Sequence, residues 1–163
     1  GELEEALSAY TQEAVARARD QGSAVRYVSV YLMTNPWDET GPQYFAQLSA
    51  ALPKPTAYLP DILAASLSLL RRLYREGYRY RKVMVNLLGL EDDTVMQGDL
   101  FETDEARSRK DALMRCFDAV TARYGRNSLH TGGTILSGRA WNMRRNFLSP
   151  AYTTDVARIP EVY

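Results

Sequence analysis

Three stretches of this chain alternate apolar and polar side chains with a period of two, and nothing else in it constrains the fold as strongly. In residues 25–33, Val28, Val30 and Leu32 share one parity, with Tyr27, Ser29 and Tyr31 on the other. In residues 45–52, Ala46, Leu48, Ala50 and Leu52 alternate with Phe45, Gln47 and Ser49. In residues 79–90, Val83, Val85 and Leu87 alternate with Tyr80, Lys82, Met84 and Asn86. Each run predicts a strand with one apolar face that must be covered. Two segments of helical period can cover it. Residues 2–20 repeat Leu3, Leu7, Tyr10, Ala14 and Ala18, with Glu2, Glu4 and Glu5 at the favourable N-terminal end and Gly22 as the stop. Residues 60–76 repeat Ile62, Leu63, Ser66, Leu69, Leu70 and Leu73, with Pro60 in the first turn and Gly77 after the last.

The breakers in 35–42 suit a connection between the first two strands. The order helix, strand, strand, helix, strand predicts an α+β fold. Its antiparallel sheet carries two helices on one face and leaves the other free for a ligand. A further helix is expected over 108–124 through Leu113, Phe117, Val120 and Tyr124, and an irregular tail after it.

A chain of 163 residues with 45% hydrophobic content can build one ordinary core plus extensions. No run is apolar enough to span a membrane, and the start is unlike a secretory signal. The one cysteine, Cys116, stands among Leu113, Met114 and Phe117, which predicts a buried helix residue in a reducing compartment.

Catalytic chemistry finds no foothold. His130 is the single histidine, no Cys/His set has zinc spacing, and no glycine-rich loop opens a helix. Gly132-Gly133 reads as a turn. Adjacent Asp92 and Asp93 would diverge on a strand and read as solvated loop charges. The 20 basic and 20 acidic side chains cancel, so any attraction for nucleic acid depends on where the cations sit. Six of them, Arg71, Arg72, Arg75, Arg79, Arg81 and Lys82, fall within twelve positions. A solvated helix face accounts for the first three. Arg81 and Lys82 open a strand whose outward parity also carries Asn86. Beside Gln47, Ser49 and Thr34 they suggest a phosphate-contacting surface.

The acidic, turn-rich segment 91–105 contains Gln97-Gly98-Asp99-Leu100-Phe101. Leu100 and Phe101 have no periodic apolar neighbours. The Gln97 amide could set the register of an extended peptide while the apolar pair fills a pocket on another protein. Burying both would contribute roughly 3–6 kcal/mol before ordering costs, enough for a reversible tether. The other reading is a loop whose Leu-Phe pair folds back onto its own domain. The pattern resembles the bacterial sliding-clamp-binding pentapeptide, Gln-x-x-Leu-Phe.

The run from Trp141 to Thr154, Trp-Asn-Met-Arg-Arg-Asn-Phe-Leu-Ser-Pro-Ala-Tyr-Thr-Thr, resembles the C-terminal signature of the UmuC-type Y-family DNA polymerases, the MucB/ImpB/RumB group. Thr34-Asn35-Pro36-Trp37 and the stretch from Gly77 to Lys82 agree in order, so the resemblance covers nearly the whole chain. It implies that residues 1–92 are the little-finger domain, which lays its sheet on damaged DNA at the primer-template duplex. Thr34, Gln47, Ser49, Arg79, Arg81, Lys82 and Asn86 would then contact the DNA. Residues 93–107 would be a linker whose Gln97, Leu100 and Phe101 bind the sliding clamp. Residues 108–163 would be the UmuC-type C-terminal region, engaging UmuD′-type subunits and a RecA-type filament through Trp141, Arg144, Arg145, Phe147 and Tyr152. The alternative for those five is packing onto the sheet or the preceding helix.

The resemblance also implies a bacterial, cytoplasmic, nucleoid-associated protein acting in SOS mutagenesis and DNA repair. Two-metal nucleotidyl transfer needs palm carboxylates that are not in this sequence. The fragment is therefore expected to be inert as an enzyme and to carry no cofactor, while its parent would use Mg2+. The family domain begins with a strand bearing Ser-Phe-Gly just before the first helix. This sequence starts at the helix, so the sheet is expected to lack that strand and expose an edge. Ala151 replaces a frequent arginine. A second functional reading is an interaction module of a catalytically inactive polymerase homologue.

Overall fold

The computed structural model describes residues 1–92, 104–125 and 128–132. The elements are α1 (Glu2–Asp20), β1 (Ser23–Thr34), β2 (Phe45–Thr56), α2 (Leu59–Leu73), β3 (Tyr80–Asp92) and α3 (Asp104–Tyr124). The strands form an antiparallel sheet in the order β2-β1-β3, and the fold is α+β. Val28, Val30 and Leu32 of the central strand are fully buried against Leu7 and Val15 of α1 and Ile62, Leu69, Leu70 and Leu73 of α2. The alternation of β1 therefore turns its aliphatic parity to the helices.

Helix α1 departs from the expected stripe. Tyr10 is exposed and Ala14 half-buried, whereas Thr11 and Val15 are buried. Thr11 is tolerated inside because its hydroxyl donates to the Leu7 carbonyl at 2.7 Å. Ser66 of α2 does the same to the Ile62 carbonyl at 2.8 Å. Strand β2 runs four residues beyond Leu52, through Pro53 and Pro55. That is possible on an edge strand, where a missing N–H breaks no ladder. Helix α2 stops at Leu73, because Tyr74 is already extended (φ −63°, ψ 132°).

Opposite Arg26, Gly89 has φ +60°. A Cβ there would lie 3.0 Å from both Arg26 Cβ and Tyr27 Cδ2. Gly89→Ala is accordingly expected to lower the unfolding free energy by roughly 1–3 kcal/mol, readable as a shifted urea midpoint at unchanged m-value.

Helix α3 docks on the helical layer with a face other than the one expected. Met114 enters the core and Phe117 packs against it, while Leu113 and Tyr124 are exposed. Cys116 is exposed too, not buried as its neighbours suggest. The rotation follows from polar anchors on the same side as Met114. The Arg19 guanidinium, 17% exposed, donates to both Asp118 oxygens. Lys110 lies 3.6 Å from Asp61 and over the Tyr58 ring. Beyond the helix, Gln12 donates to the Leu129 carbonyl at 2.8 Å and accepts from the Thr131 N–H. Among the described residues no helix is long and apolar enough to cross a membrane.

Candidate functional site

Among the described residues no helix covers the second face of the sheet, and strand pairing places that face residue by residue. Cross-strand partners point to the same side, so the register gives four rows running β2-β1-β3. They are Phe45–Met33–Lys82, Gln47–Tyr31–Met84, Ser49–Ser29–Asn86 and Ala51–Tyr27–Leu88. The third row is polar throughout. The Ser29 hydroxyl accepts from Gln47 Nε2 at 3.0 Å and from Ser49 Oγ at 2.9 Å. These two side chains cover it, so Ser29 is fully buried on an otherwise open face. Gln47, Ser49, Asn86 and Lys82 are exposed. Four of the seven residues expected at a phosphate-contacting surface are thus brought together.

The other three lie elsewhere. Thr34 is buried, on the helix-facing parity with Leu32. Its hydroxyl donates to Gln43 Oε1 at 2.8 Å and accepts from the Tyr44 N–H at 3.0 Å, so it closes the β1–β2 connection. Arg79 is exposed on the turn before β3, 3.9 Å from Asp38. Arg81 falls at a register shift, where Met33 pairs with Lys82 but Thr34 pairs with Tyr80. That bulge re-aims the start of the strand. Arg81 and Lys82 both wall a cleft of about 360 Å³ whose other sides include Glu2, Tyr10 and Tyr74. The remaining cations of the cluster belong to the helical layer: Arg71 is 3.1 Å from Glu4, and Arg72 and Arg75 are exposed at and just after the end of α2. Hydrogen bonds from the N-terminal ammonium and Arg71 hold the Glu4 carboxyl below the usual range.

Two packed features support this end of the sheet. Tyr44 and Tyr80 meet edge-on at 5.7 Å, with Tyr74 and Tyr78 beside Tyr80. Tyr44 donates to the Leu73 carbonyl, and the Tyr80 hydroxyl bonds both the Arg75 N–H and its carbonyl. Burial pushes the Tyr80 phenol up, so it stays neutral and able to donate. The β1–β2 loop is tied down by Asp38, which accepts from both the hydroxyl and the N–H of Thr40. Those bonds, with Arg79 nearby, hold its carboxyl below the usual range. Gln43 Nε2 donates to the Asp38 carbonyl at 2.6 Å.

Sequence reasoning passed over two exposed aromatic side chains at this end of the sheet. Trp37 is 88% exposed on the loop and Phe45 66% exposed at the start of β2. Phe45 shares parity with Gln47 and Ser49, a signal that was available. Gln97, Leu100 and Phe101, and Trp141, Arg144, Arg145, Phe147 and Tyr152, lie outside the described residues. Among the described residues no group of three or more His, Cys, Asp or Glu side chains could hold a metal ion.

The impB/mucB/samB family C-terminal domain matches residues 1–100, and a domain of unknown function matches residues 111–162. Protein UmuC of Salmonella typhimurium is 31% identical over 161 residues, covering 97% of this chain and 38% of that protein. Protein MucB of Escherichia coli is 30% identical over 159 residues, covering 98% of this chain and 37% of its own length. DNA polymerase IV of Moorella thermoacetica is 39% identical over 95 residues, covering 55% of this chain and 23% of the polymerase. The chain thus spans less than two fifths of the full-length relatives it matches.

Proposed function

The chain belongs to the impB/mucB/samB family of C-terminal domains, and on that premise we propose that it is the DNA-holding part of an error-prone translesion polymerase. The observation that carries this is the helix-free sheet face, where Lys82, Asn86, Ser49 and Gln47 stand exposed together. One cation and three short polar groups offer contacts to phosphate and sugar without reading bases, as a protein that moves along its template requires. Nucleotide addition falls, on this reading, to the rest of such a polymerase, and this chain by itself is inert.

The same proposal assigns Gln97, Leu100 and Phe101 to the sliding clamp. It gives residues 108–163, with Trp141, Arg144, Arg145, Phe147 and Tyr152, to UmuD′-type subunits and a recombinase filament during SOS mutagenesis.

The test is the salt dependence of binding to blunt duplex DNA. Binding should be indifferent to sequence and weaken with salt. Lys82→Ala should lower affinity uniformly and reduce the slope of log K against log salt by about 1. If an Arg81→Ala/Lys82→Ala chain keeps both the affinity and the slope of the parent, this face is not the DNA contact.

A further inference from the structure

The charges on the open face are too few for a surface that grips only a duplex. In its four rows Lys82 is the one cation. What the face has instead is aromatic area. Tyr27 is 42% exposed, Phe45 66%, and Trp37 on the adjoining loop 88%. Tyr31 lies between them in the central strand, its ring 6.4 Å from that of Phe45. Tyr27 and Tyr31 are four residues apart on one strand, about 13 Å. An exposed apolar patch of this kind marks a place where something binds.

The occupant must match both the rings and the cation. Bases within a duplex already stack on one another and offer their flat faces to no protein side chain. An unpaired strand presents bare base faces and regularly spaced phosphates together. Ser49, Asn86 and the Gln47 amide stand exposed among the rings, over the buried Ser29, where base edges and sugars could be hydrogen-bonded. Trp37 extends into solvent from a braced loop. Its loop is cross-braced through Asp38, Thr40, Gln43 and Thr34, and the adjacent turn approaches it through Arg79.

We infer that Trp37, Phe45, Tyr31 and Tyr27, with Lys82, form a stacking platform for unpaired DNA next to the duplex. This rests on the reading of the open face as a DNA contact, and it names the form of DNA that face prefers. The unpaired strand would cross from the loop end, where Trp37, Phe45 and Lys82 lie, toward Tyr27.

The 163-residue chain would be titrated by anisotropy against a blunt duplex and the same duplex with an unpaired extension of about ten nucleotides. The extension should tighten binding about tenfold. Trp37→Ala and Phe45→Ala should each remove most of that gain and leave blunt-duplex affinity in place, with Phe45→Tyr retaining it. Both side chains are exposed, so unchanged thermal midpoints are expected and would be checked. Blunt duplex bound with no gain from the extension overturns the platform and leaves the DNA reading intact. Variants that weaken both DNAs equally also overturn the platform. Failure of the parent chain to bind either DNA overturns both.

Discussion

Replacing Ile62 with alanine is expected to lower the unfolding free energy by about 2–5 kcal/mol. Ile62 is fully buried where α2 meets the sheet, in one cluster with Val28, Val30, Leu32 and Leu7. Truncation removes transfer free energy and leaves a cavity that flanking elements cannot fill without dragging the sheet off both helices. Domains of this size are stable by about 5–15 kcal/mol, so one substitution would take a large share. Denaturant melts followed by far-UV circular dichroism would measure it. Leu88, of the same aliphatic type but 46% exposed on the other sheet face, provides the contrast. Leu88→Ala should change stability by no more than about 0.5 kcal/mol. Equal losses at both positions would mean that the two faces are not inside and outside as described.

A Leu100→Ala/Phe101→Ala chain is expected to bind a bacterial sliding clamp at least about 100-fold more weakly than the parent chain. Losing burial worth roughly 3–6 kcal/mol corresponds to that factor or more. Calorimetric titration of a purified clamp would show micromolar-range binding by the parent and none by the variant. The substitutions follow β3 in sequence and touch none of the four residues proposed to hold DNA, so DNA affinity should be untouched, which separates tethering from DNA contact. If neither chain bound the clamp, the tether would be withdrawn, and Leu100 and Phe101 would be assigned to the chain's own packing.

The open face shows how far a single sequence carries a site. Period-two alternation puts Lys82, Asn86, Gln47 and Ser49 opposite Val83, Val85, Leu48 and Ala50, while the cationic cluster and the family resemblance are what point to DNA there. Thr34 and Arg81 join them in the sequence reading as polar and basic residues of the same strands, and the fold puts both off the open face. Thr34 falls on the buried parity and satisfies the loop. Arg81 occupies a one-residue bulge that breaks the alternation its placement relied on. A bulge costs no hydrophobic periodicity and leaves almost no trace in a sequence. The cationic cluster dispersed for a related reason. Six residues close in the chain straddle the end of α2, a turn and the start of β3, so closeness in sequence does not gather all six on the open face.

Legible in the sequence alone are the residues that share a face along most of each strand, the order of helices and strands, and the motifs that mark the family. All of these are local, because backbone geometry fixes the repeat of side-chain direction within one element. Tertiary structure decided which side of a helix is the inner one. On α1, Thr11 and Val15 go in while Tyr10 stays out. On α3, Met114 goes in while Leu113, Cys116 and Tyr124 stay out. These choices depend on partners far away in the chain, such as Asp118 for Arg19 and Leu129 for Gln12. An amphipathic helix with two apolar edges can rotate toward either. The choice falls to whichever orientation pairs its polar groups as it buries its apolar ones, and that pairing exists only once the elements have met.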